Sequence, residues 1–154
     1  DLQTGVDGCG VPSFWTTMAA AAAAFARLSN PSSPDAPLSS EDRQAAEQVA
    51  RAMTSHPHRL GGAGRFNTQL VEFTGRRLVA KSGAEGFFGV GLADRGLGIS
   101  LKIADGASRP HPAVLCRLLA EELPELDWAG FQQAVDPPLR NTLDQIVGGV
   151  EAAF

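Results

Sequence analysis

The tripeptide Lys81-Ser82-Gly83 is the part of this sequence best suited to chemistry. A lysine beside a small, glycine-containing turn can point into a cleft, and glycine leaves room for a substrate against the backbone. Burial or a cationic neighbour can bring a lysine amine towards neutrality, where it becomes a base, whereas arginine stays charged. Lys81 and Lys102 are the only lysines in a chain whose other basic side chains are arginines. The plainer reading is a strand-edge lysine held by Glu85 or by water. A second group is Asp7-Gly8-Cys9-Gly10, in which a carboxylate and a thiol two residues apart in a tight loop face one place. There Asp7 can orient a lysine or bind an amino group, and Cys9 can ligate a metal if further ligands exist. As a bland alternative, the segment is an Asp-Gly turn with a small cysteine.

Other reactive residue types form weaker patterns. His56 and His58 look like a two-ligand metal fragment, but no third ligand is spaced to join them, which favours a solvated pair. His111 lies among prolines at an expected helix start with no evident partner. Cys116 falls on a leucine-rich helix, where core packing is expected. The glycines at 61, 62 and 64 lack the Lys-Ser/Thr that follows in a phosphate loop. No serine is followed three residues later by lysine, and no G-x-S-x-G elbow occurs. A nucleophile, base and oxyanion hole therefore cannot be assembled from these residues alone.

The elements that must position these groups follow from the apolar period. Residues 78–82 alternate as a strand, residues 87–92 form a glycine-interleaved strand, and Asp94-Arg95-Gly96 turns the chain into a third strand over 97–103. Together they predict an antiparallel meander with one face on a core. Before it, residues 13–28 read as an alanine-rich helix buried in the core. Ser39 or Ser40 caps a second helix with Glu41 and Asp42 in its first turn. Residues 56–64 read as a loop, and 65–74 as a short helix stopped by Gly75. Beyond the meander, Pro110 and Pro112 open a leucine-rich helix, 128–135 makes another, and 145–151 leans towards a terminal strand. The expected class is α+β, an antiparallel sheet with helices packed on it.

Length and composition bound the rest. A chain of 154 residues, 44% hydrophobic, suits one domain over 1–154 with a true core and is too apolar to be disordered. A net charge of -4 argues against a nucleic-acid surface or a basic membrane anchor. No stretch reads as a membrane span or signal peptide, so a cytoplasmic location is expected. Two cysteines cannot build a disulfide framework.

Several segments together resemble the second half of the bacterial type-II asparaginases related to the Rhizobium enzyme. They are Val6-Asp7-Gly8-Cys9-Gly10-Val11-Pro12, Phe25-Ala26-Arg27-Leu28, His56-Pro57 with Gly64-Arg65-Phe66-Asn67-Thr68, Val79-Ala80-Lys81-Ser82-Gly83-Ala84-Glu85-Gly86, and Asp94-Arg95-Gly96-Leu97-Gly98-Ile99-Ser100-Leu101-Lys102-Ile103. Each piece is short, but their order and spacing cover most of the chain. The resemblance implies a fold like part of the serine-dependent glutaminases and β-lactamase-like enzymes, with Lys81-Ser82-Gly83 at their Lys-Ser/Thr-Gly strand motif. It implies hydrolysis of L-asparagine to aspartate and ammonia by a lysine-activated serine. Lys81 and Asp7 would be catalytic, Asp7 positioning the substrate or that lysine, and Ser82 and Gly83 would line the substrate pocket. No cofactor would be required, with Cys9 a candidate zinc ligand completed by groups from elsewhere. Asn67 stands where the family usually has Asp, and Ser82 where many members have Gly, which leaves amide preference open. The Ser-x-x-Lys half of the family is not found in these residues. The chain alone is therefore expected to be inactive, with the missing half or a partner chain supplying the nucleophile and homo-oligomerisation allowed by an uncovered apolar patch. The competing expectation is a non-catalytic binding or interaction domain derived from the same family.

Overall fold

In a computed structural model that describes residues 3–34 and 36–154, the chain runs β1 (Thr4–Val6), β2 (Pro12–Phe14), α1 (Met18–Ser29), α2 (Ser40–Ser55), α3 (Pro57–Gly61) and α4 (Phe66–Phe73). It continues through β3 (Leu78–Ser82), β4 (Phe87–Leu92), β5 (Leu97–Lys102), α5 (His111–Glu122), α6 (Trp128–Val135), β6 (Leu139–Arg140) and β7 (Ile146–Gly148). The class is α+β, as the alternating and helical periods predict. At the centre stands the expected antiparallel meander, in the order β3-β4-β5. Its register pairs Ala80 with Val90 and Val90 with Ile99, so Leu78, Ala80, Phe88, Val90, Leu92, Leu97, Ile99 and Leu101 share one face.

That face carries the core. Leu70 and Val71 of α4, Leu115, Cys116 and Leu119 of α5, Leu123 and Trp128 close over it, with Phe66, Phe73 and Phe131 packed around them. The Phe73 and Phe131 rings stack at 4.1 Å, and the Trp128 indole N–H donates to the Leu123 carbonyl at 2.8 Å. The indole can thus be buried without an unpaired donor.

The opposite face is built differently. It presents Gly89, Gly91 and Gly98 to α1, and the helix comes down onto the strand backbone itself. A Cβ at Gly98 would lie 1.8 Å from the Ala22 carbonyl oxygen, and one at Gly91 would lie 2.1 Å from the Phe25 carbonyl oxygen. Alanine on the helix and glycine on the sheet are one packing device. Ser100 fastens the helix start by donating to the Met18 carbonyl at 2.7 Å.

Local signals explain the helix ends. Thr17 caps α1 by accepting from the Ala20 N–H at 3.1 Å, and Ser39 caps α2 by accepting from the Asp42 N–H at 3.1 Å. Gly75, at φ 63°, follows α4 as expected.

Three sequence expectations are corrected. The first helix begins at Met18, because Ser13 and Phe14 pair with Gly5 and Thr4 in a hairpin and Thr17 is the cap. Nor is that helix buried in the core: of its residues Ala21 is the buried one, since α1 covers a sheet face from outside. Residues 57–61 are a short helix rather than a loop, because Pro57 has the φ a first helical residue needs. The expected terminal strand is present as β7, which among the described residues pairs with β6 in an exposed hairpin. Among the described residues, no helix is long and apolar enough to cross a membrane.

Candidate active site

β3 is an edge strand: β4 holds one side of it, and among the described residues no strand pairs with the other. Lys81 and Ser82 therefore stand at a free edge, and strand alternation sends their side chains to opposite faces. Lys81 shares the glycine face with Gly89 and Ser100. It is half-buried, and its Nζ donates to the Ser82 carbonyl at 2.7 Å. Ser82 shares the core face with Phe88 and opens into a cleft of about 340 Å³ with Asn67 and His111. Gly83 is exposed just beyond them, where its N–H donates to the Phe87 carbonyl at 2.9 Å and closes the turn between β3 and β4. Within the tripeptide, one side chain is available to each face.

Asp7 and Cys9 sit at the tip of the β1–β2 hairpin, both exposed. Asp7 Oδ1 accepts from the Cys9 N–H at 2.9 Å and the Val11 N–H at 3.0 Å, so the carboxylate holds the loop in shape. Among the described residues no hydrogen bond or ion pair joins Asp7 or Cys9 to Lys81. Nor does any group of three or more His, Cys, Asp or Glu gather to hold a metal. Cys9 and a partly committed Asp7 do not make the four-donor set of a zinc site by themselves.

The hairpin is also unusual in what it exposes. Val6, Val11, Phe14 and Trp15 project outward, Trp15 with 67% of its surface accessible. Val6 and Val11 flank the Asp-Gly-Cys-Gly tip, while Phe14 and Trp15 lie at the other end of the hairpin.

The remaining sequence candidates resolve as structure. His58 is exposed and pairs with Glu72 at 2.8 Å, and His56 is exposed at a helix junction. Cys116 is buried, and desolvation together with the nearby Asp136 charge pushes its thiol up to about 12, which suits packing rather than nucleophilic attack. His111 was read as partnerless. It is buried edge-on against Phe88 at 5.2 Å, with Nε2 3.0 Å from the Gly86 carbonyl oxygen. That partner lies 25 residues away, so local sequence could not reveal it.

Asn67, which the family resemblance marks only as a departure from Asp, lies beside the predicted tripeptide. It is 4% exposed and lines the cleft beside Ser82. Gly61 makes room for it, since a Cβ there would approach Asn67 Nδ2 to 2.4 Å. Its place two residues into a helix, after a run of glycines, was the available signal.

Residues 1–152 match the model of the family described as L-asparaginase II. The chain belongs to the L-asparaginase II family. No curated protein matches it with significance. Lys81-Ser82-Gly83 lies at the end of β3, the strand at one side of the β3-β4-β5 sheet.

Proposed function

We propose that the chain contributes one wall of an amidohydrolase site that converts L-asparagine and water to L-aspartate and ammonia. The family match over residues 1–152, with Lys81 on the unpaired edge of β3, is the observation that supports this reading. Lys81 takes the proton from a serine hydroxyl supplied by a Ser-x-x-Lys segment outside these 154 residues. The serine oxygen attacks the carboxamide carbon, the C–N bond breaks, and the departing nitrogen receives the proton and leaves as ammonia. Water then hydrolyses the serine ester to free aspartate and restore the hydroxyl. Asp7 orients the substrate amino group or the Lys81 ammonium, and Ser82 and Gly83 line the pocket. Cys9 is a zinc ligand only with donors from outside the chain, and no step here depends on it.

The second reading is a binding domain of the same family without chemistry. One assay separates them. Ammonia release from asparagine and glutamine is measured with the chain alone and with a Ser-x-x-Lys-bearing segment joined or added. Activity only in the combined protein is expected. Release by the chain alone would defeat the divided-site reading, and none in either case would favour the binding domain.

A further inference from the structure

The chain contains two Asp-Gly pairs, Asp7-Gly8 and Asp105-Gly106, and the fold treats them differently. In such a pair the glycine nitrogen lies within reach of the aspartate Cγ, and no side chain hinders its approach. Both carboxyls are turned towards the backbone that follows them. Asp7 Oδ1 accepts from the Cys9 N–H at 2.9 Å, and Asp105 Oδ1 accepts from the Ala107 N–H at 2.9 Å. The glycines differ. Gly106 is half-buried, its N–H donates to the Ile103 carbonyl at 3.1 Å, and a Cβ there would come within 2.9 Å of Glu85 Oε2. Gly8 is exposed, its N–H makes no hydrogen bond among the described residues, and a Cβ there would meet nothing within 4 Å. It holds the second place of the turn that the Gly10 N–H closes on the Asp7 carbonyl at 3.0 Å, a place whose own N–H the turn does not use. Asp7 Oδ1 also accepts a second N–H, from Val11 at 3.0 Å, where Asp105 Oδ1 has one donor among the described residues.

We propose that Asp7 is a site of spontaneous isomerisation to isoaspartate, and that the fold holds Asp105 back from the same reaction. The Gly8 nitrogen forms a bond to Asp7 Cγ. The Gly8 amide hydrogen, the carboxyl Oδ2 and its proton leave together as one water, and a succinimide ring closes. One water then opens the ring. Attack at Cγ restores aspartate. Attack at the Asp7 main-chain carbonyl carbon breaks its bond to the Gly8 nitrogen and leaves the chain running through Cγ. The reaction takes no oxidant, cofactor or second protein. The Cys9 and Val11 N–H groups already hold Oδ1, the oxygen on which negative charge gathers as the nitrogen adds, and donors placed there in advance lower the barrier. At the other pair the Gly106 N–H must first leave the Ile103 carbonyl. The product has an added main-chain methylene between β1 and β2. Its carboxylate no longer stands where the Cys9 and Val11 N–H groups converge, so the hairpin tip loses the contacts that shape it.

The test is incubation of the folded protein at neutral pH in water enriched in oxygen-18, followed by proteolysis and mass spectrometry. Each ring opening brings one solvent oxygen into the residue, and electron-transfer fragmentation distinguishes the isoaspartyl linkage. Isoaspartate is expected to form at Asp7 about tenfold faster than at Asp105, the factor that one retained hydrogen bond can supply. In urea the two rates should converge, with Asp105 speeding up and Asp7 gaining nothing. Gly8→Ala, for which the loop has room, should slow the reaction at Asp7, because a side chain beside the attacking nitrogen hinders it. Equal rates at the two pairs in the folded chain, a faster reaction of Asp7 in urea, isoaspartate at Asp7 without solvent oxygen, or an undiminished rate in Gly8→Ala would each overturn the proposal. Linkage and mass are read without turnover, so failure of the amidohydrolase reading leaves this proposal standing, and the converse holds equally.

Discussion

The two faces of the β3-β4-β5 sheet solve one problem in opposite ways. On one, Leu78, Phe88, Val90 and Leu92 interdigitate with Leu115 and Leu119, so burial comes from bulky side chains removed from water. On the other, Gly89, Gly91 and Gly98 remove side chains altogether and let α1 touch the strand backbone. The first arrangement tolerates rearrangement of volume among many partners. In the second, the contact atoms at Gly91 and Gly98 are carbonyls of a helix, which have nowhere to go. The difference also divides the candidate chemistry, since Lys81 belongs to the glycine face and Ser82 to the aliphatic one.

The largest effect should separate the faces functionally. In the complete protein, Lys81→Ala is expected to lower the rate of ammonia release by about 10²–10⁴-fold, the usual range for losing a proton-transfer group. Ser82→Ala should cost much less. Undiminished activity in Lys81→Ala would remove that residue from the site. Leu119→Ala tests the aliphatic face: Leu119 has no accessible surface, and truncation should destabilise by about 2–5 kcal/mol in urea unfolding. Gly98→Ala tests the other face, where one added methyl meets the Ala22 carbonyl and should cost about 1–3 kcal/mol. Gly148→Ala, with nothing within 4 Å, is the neutral control. Equal tolerance at Gly98 and Gly148 would break the comparison. The smallest effect is electrostatic. Burial raises the carboxyl pKa of Asp136, so its contribution is complete below the ordinary Asp range and is lost as pH rises through the raised value. Asp136→Asn should therefore raise the melting temperature at neutral pH and leave it unchanged in acid.

How much of this was legible in the sequence depended on whether a partner was near in the chain. The alternation of Leu97, Ile99 and Leu101 announced a strand, and Ser39 with Glu41 and Asp42 announced a helix start, because those signals act within a turn or two. The alanine run of α1 was equally plain as a helix, yet its role was misread. Alanine reads as core filler until the glycines it faces, some seventy residues later, are known. The hairpin of β1 and β2 was visible only as a loop, since strands of three residues with exposed apolar side chains carry no period. At the candidate site, Lys81 was singled out from residue type and neighbours, and the separation of Lys81 from Ser82 followed from alternation. That Asn67 of α4 and His111 of α5 meet beside Ser82 was not legible, because it depends on where those helices begin in space.

The two cysteines give the protein a clock. Cys9 is exposed at a loop tip, whereas Cys116 lies under the sheet with its thiol near 12. A thiol reagent at neutral pH should thus modify one group per folded molecule at once, and the second only as fast as the core opens. Counting labels against time would report the lifetime of the packed core directly, with no probe added to the chain.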